Sequence, residues 1–167
     1  MIYAIPIGMS FRILRRFDDA LASLRRTAPA VAVLELGVAL GIIAFWTAYF
    51  STDMVNIADA RLKEITTAFE SAFPVADLYL AAVLIAGGIG LLKKRSYGYV
   101  FSLMGGASLI FLGLLDVSFN LQQGIYLLGT GEAVLNVFIN ATCLGFGAFL
   151  VFSVWKNREK LALPRTP

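Results

Sequence analysis

The chain has 167 residues, 59% of them hydrophobic and 15% charged, with a mean hydropathy of +0.78. So few ionisable residues cannot clothe a soluble domain of this length, and the composition points to one integral membrane domain, 1–167. A single cysteine, Cys143, excludes an intramolecular disulfide framework and a CxxC pair, and the lack of histidine removes the commonest zinc ligand and general base.

The opening "MIYAIPIGMS" has no charge before Arg12, so no cleaved secretory signal is expected. Over residues 11–26, Phe11, Leu14, Phe17, Leu21 and Leu24 recur at steps of three and four with arginines between them. That spacing predicts an amphipathic helix in the membrane interface, with docking on a partner protein as the alternative. Thr27 and Pro29 suit the cap and first turn of a first span, about residues 30–50. This span carries Gly37 and Gly41 as a GxxxG pair and one acidic residue, Glu35. Glu35 lies about 7.5 Å from the start of the span by helical rise, so it is expected to snorkel or to pair with Lys93, Lys94 or Lys156, with a protonatable transport carboxylate as the alternative.

The connection after the first span places Val55, Ala58, Leu62, Ile65, Phe69 and Phe73 on one helical stripe, which predicts a helix across the bundle end or on lipid headgroups. Pro74 opens the second span, 74–92, with Asp77 in its first turn and Ala86 and Gly90 four apart. The third span, 97–119, holds Gly106 and Gly113, and ends with Asp116 and Asn120 one turn apart. The uncharged "LQQGIYLLGTG" predicts a tight turn with Tyr126 near the interface. In the fourth span, 132–155, Glu132, Asn136 and Asn140 descend one face, and Ala141 with Gly145 and Cys143 with Gly147 supply small residues for packing. A basic tail, 156–167, follows. Trp46, Tyr49 and Phe50 at one interface, and Tyr97, Tyr99 and Trp155 at the other, read as aromatic belts. The sequon Asn140-Ala141-Thr142 lies too deep for a glycosyltransferase.

Charge orients the spans. Arg12, Arg15, Arg16, Arg25, Arg26, Lys93, Lys94, Arg95, Lys156, Arg158, Lys160 and Arg165 fall on one side of a four-span chain, and only Arg61 and Lys63 on the other. The positive-inside rule makes the first side cytoplasmic, termini included, in the cell membrane. This placement accounts for the net charge of +3 and leaves no case for nucleic-acid binding.

The fold class is therefore all-α: a four-helix membrane bundle with an N-terminal interfacial helix and an outer helix between spans one and two. Asp77, Asp116, Asn120, Glu132, Asn136 and Asn140 all fall in the outer half and form the candidate ligand site, without a basic residue among them. Simpler roles compete: helix-start carboxylates for Asp77 and Glu132, and interhelical hydrogen bonding for Asn136 and Asn140. Asp116 resists these, because a carboxylate near a helix C-terminus opposes the dipole. The pattern points to a non-enzymatic accessory or binding subunit holding a cation, a cationic ligand or a partner helix. The alternatives are an oligomeric transporter and an intramembrane enzyme using Asp77 and Asp116 on a lipid-like substrate. Expected partners are the lipid bilayer and either other membrane subunits or further copies of the chain. No catalytic or metal-ligating residue is assigned, and the sequence names no cofactor.

Overall fold

The computed structural model describes the backbone of residues 7–52 and 57–156, and the side chains of 28–52, 57–129, 131 and 133–156. The side chains of the arginine-flanked stripe of residues 11–24 and of Glu132, together with Val55 and the tail cations Arg158, Lys160 and Arg165, lie outside that description. The described residues form five α-helices: α1 (Ile7–Ser51), α2 (Ala60–Glu70), α3 (Phe73–Leu92), α4 (Ser96–Gln123) and α5 (Thr130–Lys156). Four stretches, Ala28–Ser51, Ala60–Leu92, Ser96–Gln123 and Ala133–Lys156, are long and apolar enough to cross a membrane.

Local chemistry explains most boundaries. Asp59 caps α2 by accepting a 2.7 Å hydrogen bond from the Leu62 amide. Pro74 sits in the first turn of α3, where its missing N–H would have had no helical partner. Gly124 ends α4 at φ +69°, a left-handed conformation that costs glycine little. A 3-10 turn, Ile125–Leu127, then leads toward α5. One boundary differs from expectation: no helix starts at Thr27 and Pro29, because α1 runs through the proline. Proline withdraws one N–H from the helical ladder, and the arginines and alanines around it are good helix formers that carry the helix across.

The long helices alternate in direction. α1 packs on α3, α3 on α4 and α4 on α5, whereas α1 and α5 scarcely touch. The core runs through all four, with Ala32, Ala39, Leu80, Leu84, Leu109, Leu150 and Val154 buried. Glycines set the closest approaches. A Cβ on Gly90 would fall 2.4 Å from Gly98 Cα, and one on Gly147 would fall 2.9 Å from the Gly106 carbonyl oxygen. These contacts bring α3 against α4 and α4 against α5 nearly backbone to backbone. Gly37, Gly41 and Gly145 behave otherwise, since a Cβ there would meet nothing within 4 Å. The GxxxG of α1 therefore makes no intramolecular seam.

α2 closes one end of the bundle. Its Leu62 packs with Tyr49, Ile57, Phe119, Ile125 and Leu128, and the Phe69 ring stacks on Phe119 at 3.8 Å between centroids and 4° between planes. The opposite end holds the short turn between α3 and α4, where Lys94 adopts φ 54°.

Candidate functional site

Because α1 and α5 do not close on each other, a cavity of about 370 Å³ lies between them, with α3 and α4 behind it. One face of α1 supplies Val38, Ile42, Phe45 and Trp46, which recur at helical spacing. Leu80, Leu109, Leu112 and Ile139 complete a mostly apolar wall. Polarity is concentrated toward α2, where Glu70, Asp77, Asp116 and Asn136 line the space. Cys143, the single thiol, is half-buried in the α5 wall. Among the described residues, no Lys or Arg lines the cavity.

Asp77 accepts a 2.8 Å hydrogen bond from the Trp46 indole N–H. This corrects two expectations. Trp46 is not a belt residue: it is 4% exposed, and a buried indole needs an acceptor, which Asp77 supplies. Asp77 in turn lies beyond the first turn of α3, which starts at Phe73, so its partner is Trp46 rather than the exposed amides of a helix start.

Asp116 stands at the centre of the remaining polar groups. The side chains of Asn140 and Asn120 hydrogen-bond to its carboxyl, and Asp77 is close enough to act on it electrostatically. Asn120 Nδ2 also donates to Asn136 Oδ1 at 3.0 Å, joining α4 to α5. Asn140 Nδ2 donates to the Tyr126 hydroxyl at 2.7 Å, which turns Tyr126 toward this network. Asn120 and Asn140 are 2% and 5% exposed, yet Asn140 Oδ1 accepts no hydrogen bond. A buried acceptor left over beside two carboxyl groups makes the region rich in acceptors and short of donors. Of the six residues singled out in the sequence, Asp116, Asn120, Asn136 and Asn140 form one network, and Asp77 adjoins it. Glu132 has its backbone in the first residues of α5. Among the described residues no group of three or more His, Cys, Asp and Glu side chains is placed to hold a metal ion.

A second polar group lies toward the other end. Glu35 neither snorkels nor pairs with Lys93, Lys94 or Lys156; it is 0% exposed, and neither oxygen forms a hydrogen bond of good geometry. Its helix face explains this. Glu35 shares the stripe of Val38 and Ile42, which points into the bundle, and the rotation of α1 carries the carboxyl with it. There it meets α3 at Gly87 and α4 at Ser102, both buried.

Sequence reading missed four participants: Trp46, Tyr126, Gly87 and Ser102. Trp46 and Tyr126 carried a signal in their N–H and O–H groups, each of which needs an acceptor once buried. Gly87 and Ser102 look like ordinary small packing residues, and only the register of three helices sets them against Glu35.

The family model described as Domain of unknown function (DUF8058) matches residues 25–164, and the chain belongs to that family. No curated protein and no solved structure matches the chain.

Proposed function

We propose that this member of the DUF8058 family is a multi-pass membrane protein that binds a lipophilic organic cation between α1 and α5, as a non-enzymatic binding protein. Membrane insertion is supported by the helix surfaces, where Leu34, Leu40, Leu78, Phe111, Leu114, Phe138 and Phe152 are exposed. So many large apolar side chains facing outward suit hydrocarbon and not water. The cations Lys93, Lys94, Arg95 and Lys156 lie at the end with the α3–α4 turn, which the positive-inside rule makes cytoplasmic. The α2 end then faces outward, and the acidic part of the cavity with it.

The observation that carries the ligand class is the cavity's charge: Asp77 and Asp116 head an apolar space with no basic residue among the described residues of its lining. Two neighbouring carboxylates in a poorly solvated site repel each other, and a cation between them relieves that repulsion. An apolar body fills the leucine-lined remainder, and Phe45 and Trp46 offer ring faces to the charge. The volume of about 370 Å³ falls within the range of ligand pockets.

The test uses the full chain in lipid nanodiscs with tetraphenylphosphonium as the probe. Saturable binding above the empty-nanodisc background is expected, and tetraphenylborate, which has the same shape and opposite charge, does not compete. Asp116→Asn should raise the dissociation constant about tenfold, or ~1.4 kcal/mol. The probe should also slow alkylation of Cys143 by N-ethylmaleimide. Equal competition by tetraphenylborate, or no saturable binding, removes this reading.

A further inference from the structure

Glu35 is the one acidic or basic residue between Ala28 and Ser51, and it is fully buried in the bundle. A Cβ placed on Gly87 would come within 2.9 Å of both Glu35 Oε1 and Ser102 Oγ. The glycine thus leaves a notch on α3, and the carboxyl of α1 and the hydroxyl of α4 meet across it. Both side chains are 0% exposed, and Glu35 Oε1, Glu35 Oε2 and Ser102 Oγ all lack a hydrogen bond of good geometry. Two buried, unsatisfied polar side chains converging on one notch call for an occupant that satisfies them.

The surroundings decide what that occupant is. An ionised carboxylate here would have no counter-charge, and burying an unpaired charge is far costlier than burying a neutral acid. On α3 the titratable side chains are Tyr79 and Asp77, about 12 Å and 15 Å along the helix from Gly87, and Lys93, about 9 Å away at its C-terminal cap, begins the turn that also carries Lys94 and Arg95. α4 carries Tyr97, Tyr99 and Asp116, and α5 carries Cys143 and Lys156 among its described side chains. Glu35 forms an ion pair with none of these, since both of its oxygens are buried without a partner. A hard metal cation takes about six oxygens. The notch offers three side-chain oxygens, and the carbonyls around it are committed to their own helices. A proton fits: it neutralises the carboxyl and turns one oxygen into a donor toward Ser102 Oγ.

We propose that Glu35, Ser102 and the Gly87 notch form a proton-binding site that pins α1 to α3 and α4. The geometry gives the site a mechanical role. α1 is tied to the bundle by polar groups at two places, Trp46 to Asp77 near α2 and Glu35 toward the other end, and the cavity wall of Val38, Ile42 and Phe45 lies between them. Loss of the proton breaks the Glu35 O–H bond and passes the proton to solvent water. It leaves an anion that cannot stay in the notch, so this end of α1 separates from α3 and the α1–α5 seam widens. The proposal does not depend on which ligand the cavity takes.

The experiment is infrared difference spectroscopy of the full chain in nanodiscs, wild type minus Glu35→Gln. A carboxylic-acid C=O band belonging to Glu35 is expected at neutral pH. Ser102→Ala should move the band to higher frequency as its hydrogen bond is lost. Should Glu35→Gln fail to fold, 13C-glutamate labelling of the wild type shifts glutamate bands and leaves those of Asp77 and Asp116 in place. The pinning role is read from Cys143 alkylation. The wild-type rate divided by the Glu35→Gln rate should rise as pH rises through the band's titration, because Gln cannot ionise. Absence of a glutamic-acid band, loss of the band on adding sodium at fixed pH, or a rate ratio that stays flat with pH would each overturn the proposal. A failure of tetraphenylphosphonium to bind removes the ligand assignment and leaves these readouts untouched.

Discussion

The two ends of the bundle are held together in opposite ways. At the α3–α4 turn the helices meet through Gly90 and Gly98, whose backbones approach until no Cβ fits between them. At the α2 end the helices are held apart by larger groups: the Trp46–Asp77 pair, the Asn120–Asn136 pair, and the Phe69 ring stacked on Phe119. Small residues let dispersion act over long stretches of backbone and leave no free space. Large polar and aromatic side chains satisfy each other across a gap, and the gap is the cavity. The end that packs without space is thus a structural seam, and the end that packs imperfectly has room for a ligand.

Substitutions at each end test this contrast. The largest effect is expected for Gly98→Ala, where the new methyl would sit 2.4 Å from Gly90 C and from Leu91 N, both backbone atoms with no rotamer to yield. A loss of about 3 kcal/mol is expected, read as a collapse of thermal stability in micelles. A near-wild-type melting profile would show that the turn end is not a tight seam. Trp46→Phe keeps most of the ring and deletes the N–H, leaving Asp77 without its donor. It should cost ~1 to 3 kcal/mol and speed Cys143 alkylation, because α1 is released at the α2 end. Unchanged alkylation would mean that this hydrogen bond does not hold the cavity wall. Phe119→Leu removes the stacking partner of Phe69 and should cost about 1 kcal/mol, seen as faster hydrogen exchange confined to α2. Exchange spread evenly over the bundle would show that α2 is integral to it and not a cap. The smallest effect is expected for Gly37→Ala, which meets nothing within 4 Å and gains helix propensity. Stability should change by less than about 1 kcal/mol, and a large loss would place a partner against this face.

Much of the architecture could be read along the chain, because it depends on local quantities. Residues 74–92, 97–119 and 132–155 were predicted to within a few positions of α3, α4 and α5, since long apolar runs bounded by Pro74, the Lys93–Arg95 cluster and Gly124 leave few alternatives. A helix in the connection around residues 60–70 followed from its apolar stripe, whereas its start at the Asp59 cap did not. Continuity of α1 through Pro29 was not legible, because capping residues and helix formers compete there and the preference is small. The polar residues near α2 were legible as a group, since a spacing of four on two helices forces shared faces. Their partners were not, because Trp46 and Tyr126 come from other elements and depend on the register between helices.

The sequence by itself determined that the chain is helical, where its four long apolar helices run and which end collects the acids, since composition and periodicity act residue by residue. Only the tertiary structure decided which small residues touch, that α1 and α5 part to leave a cavity, and that Glu35 turns inward to Gly87 and Ser102. The physical reason is rotational. Each helix presents its whole circumference in sequence, and a turn of about 100° per residue means that the angle at which neighbours dock selects the face that becomes core, cavity or surface.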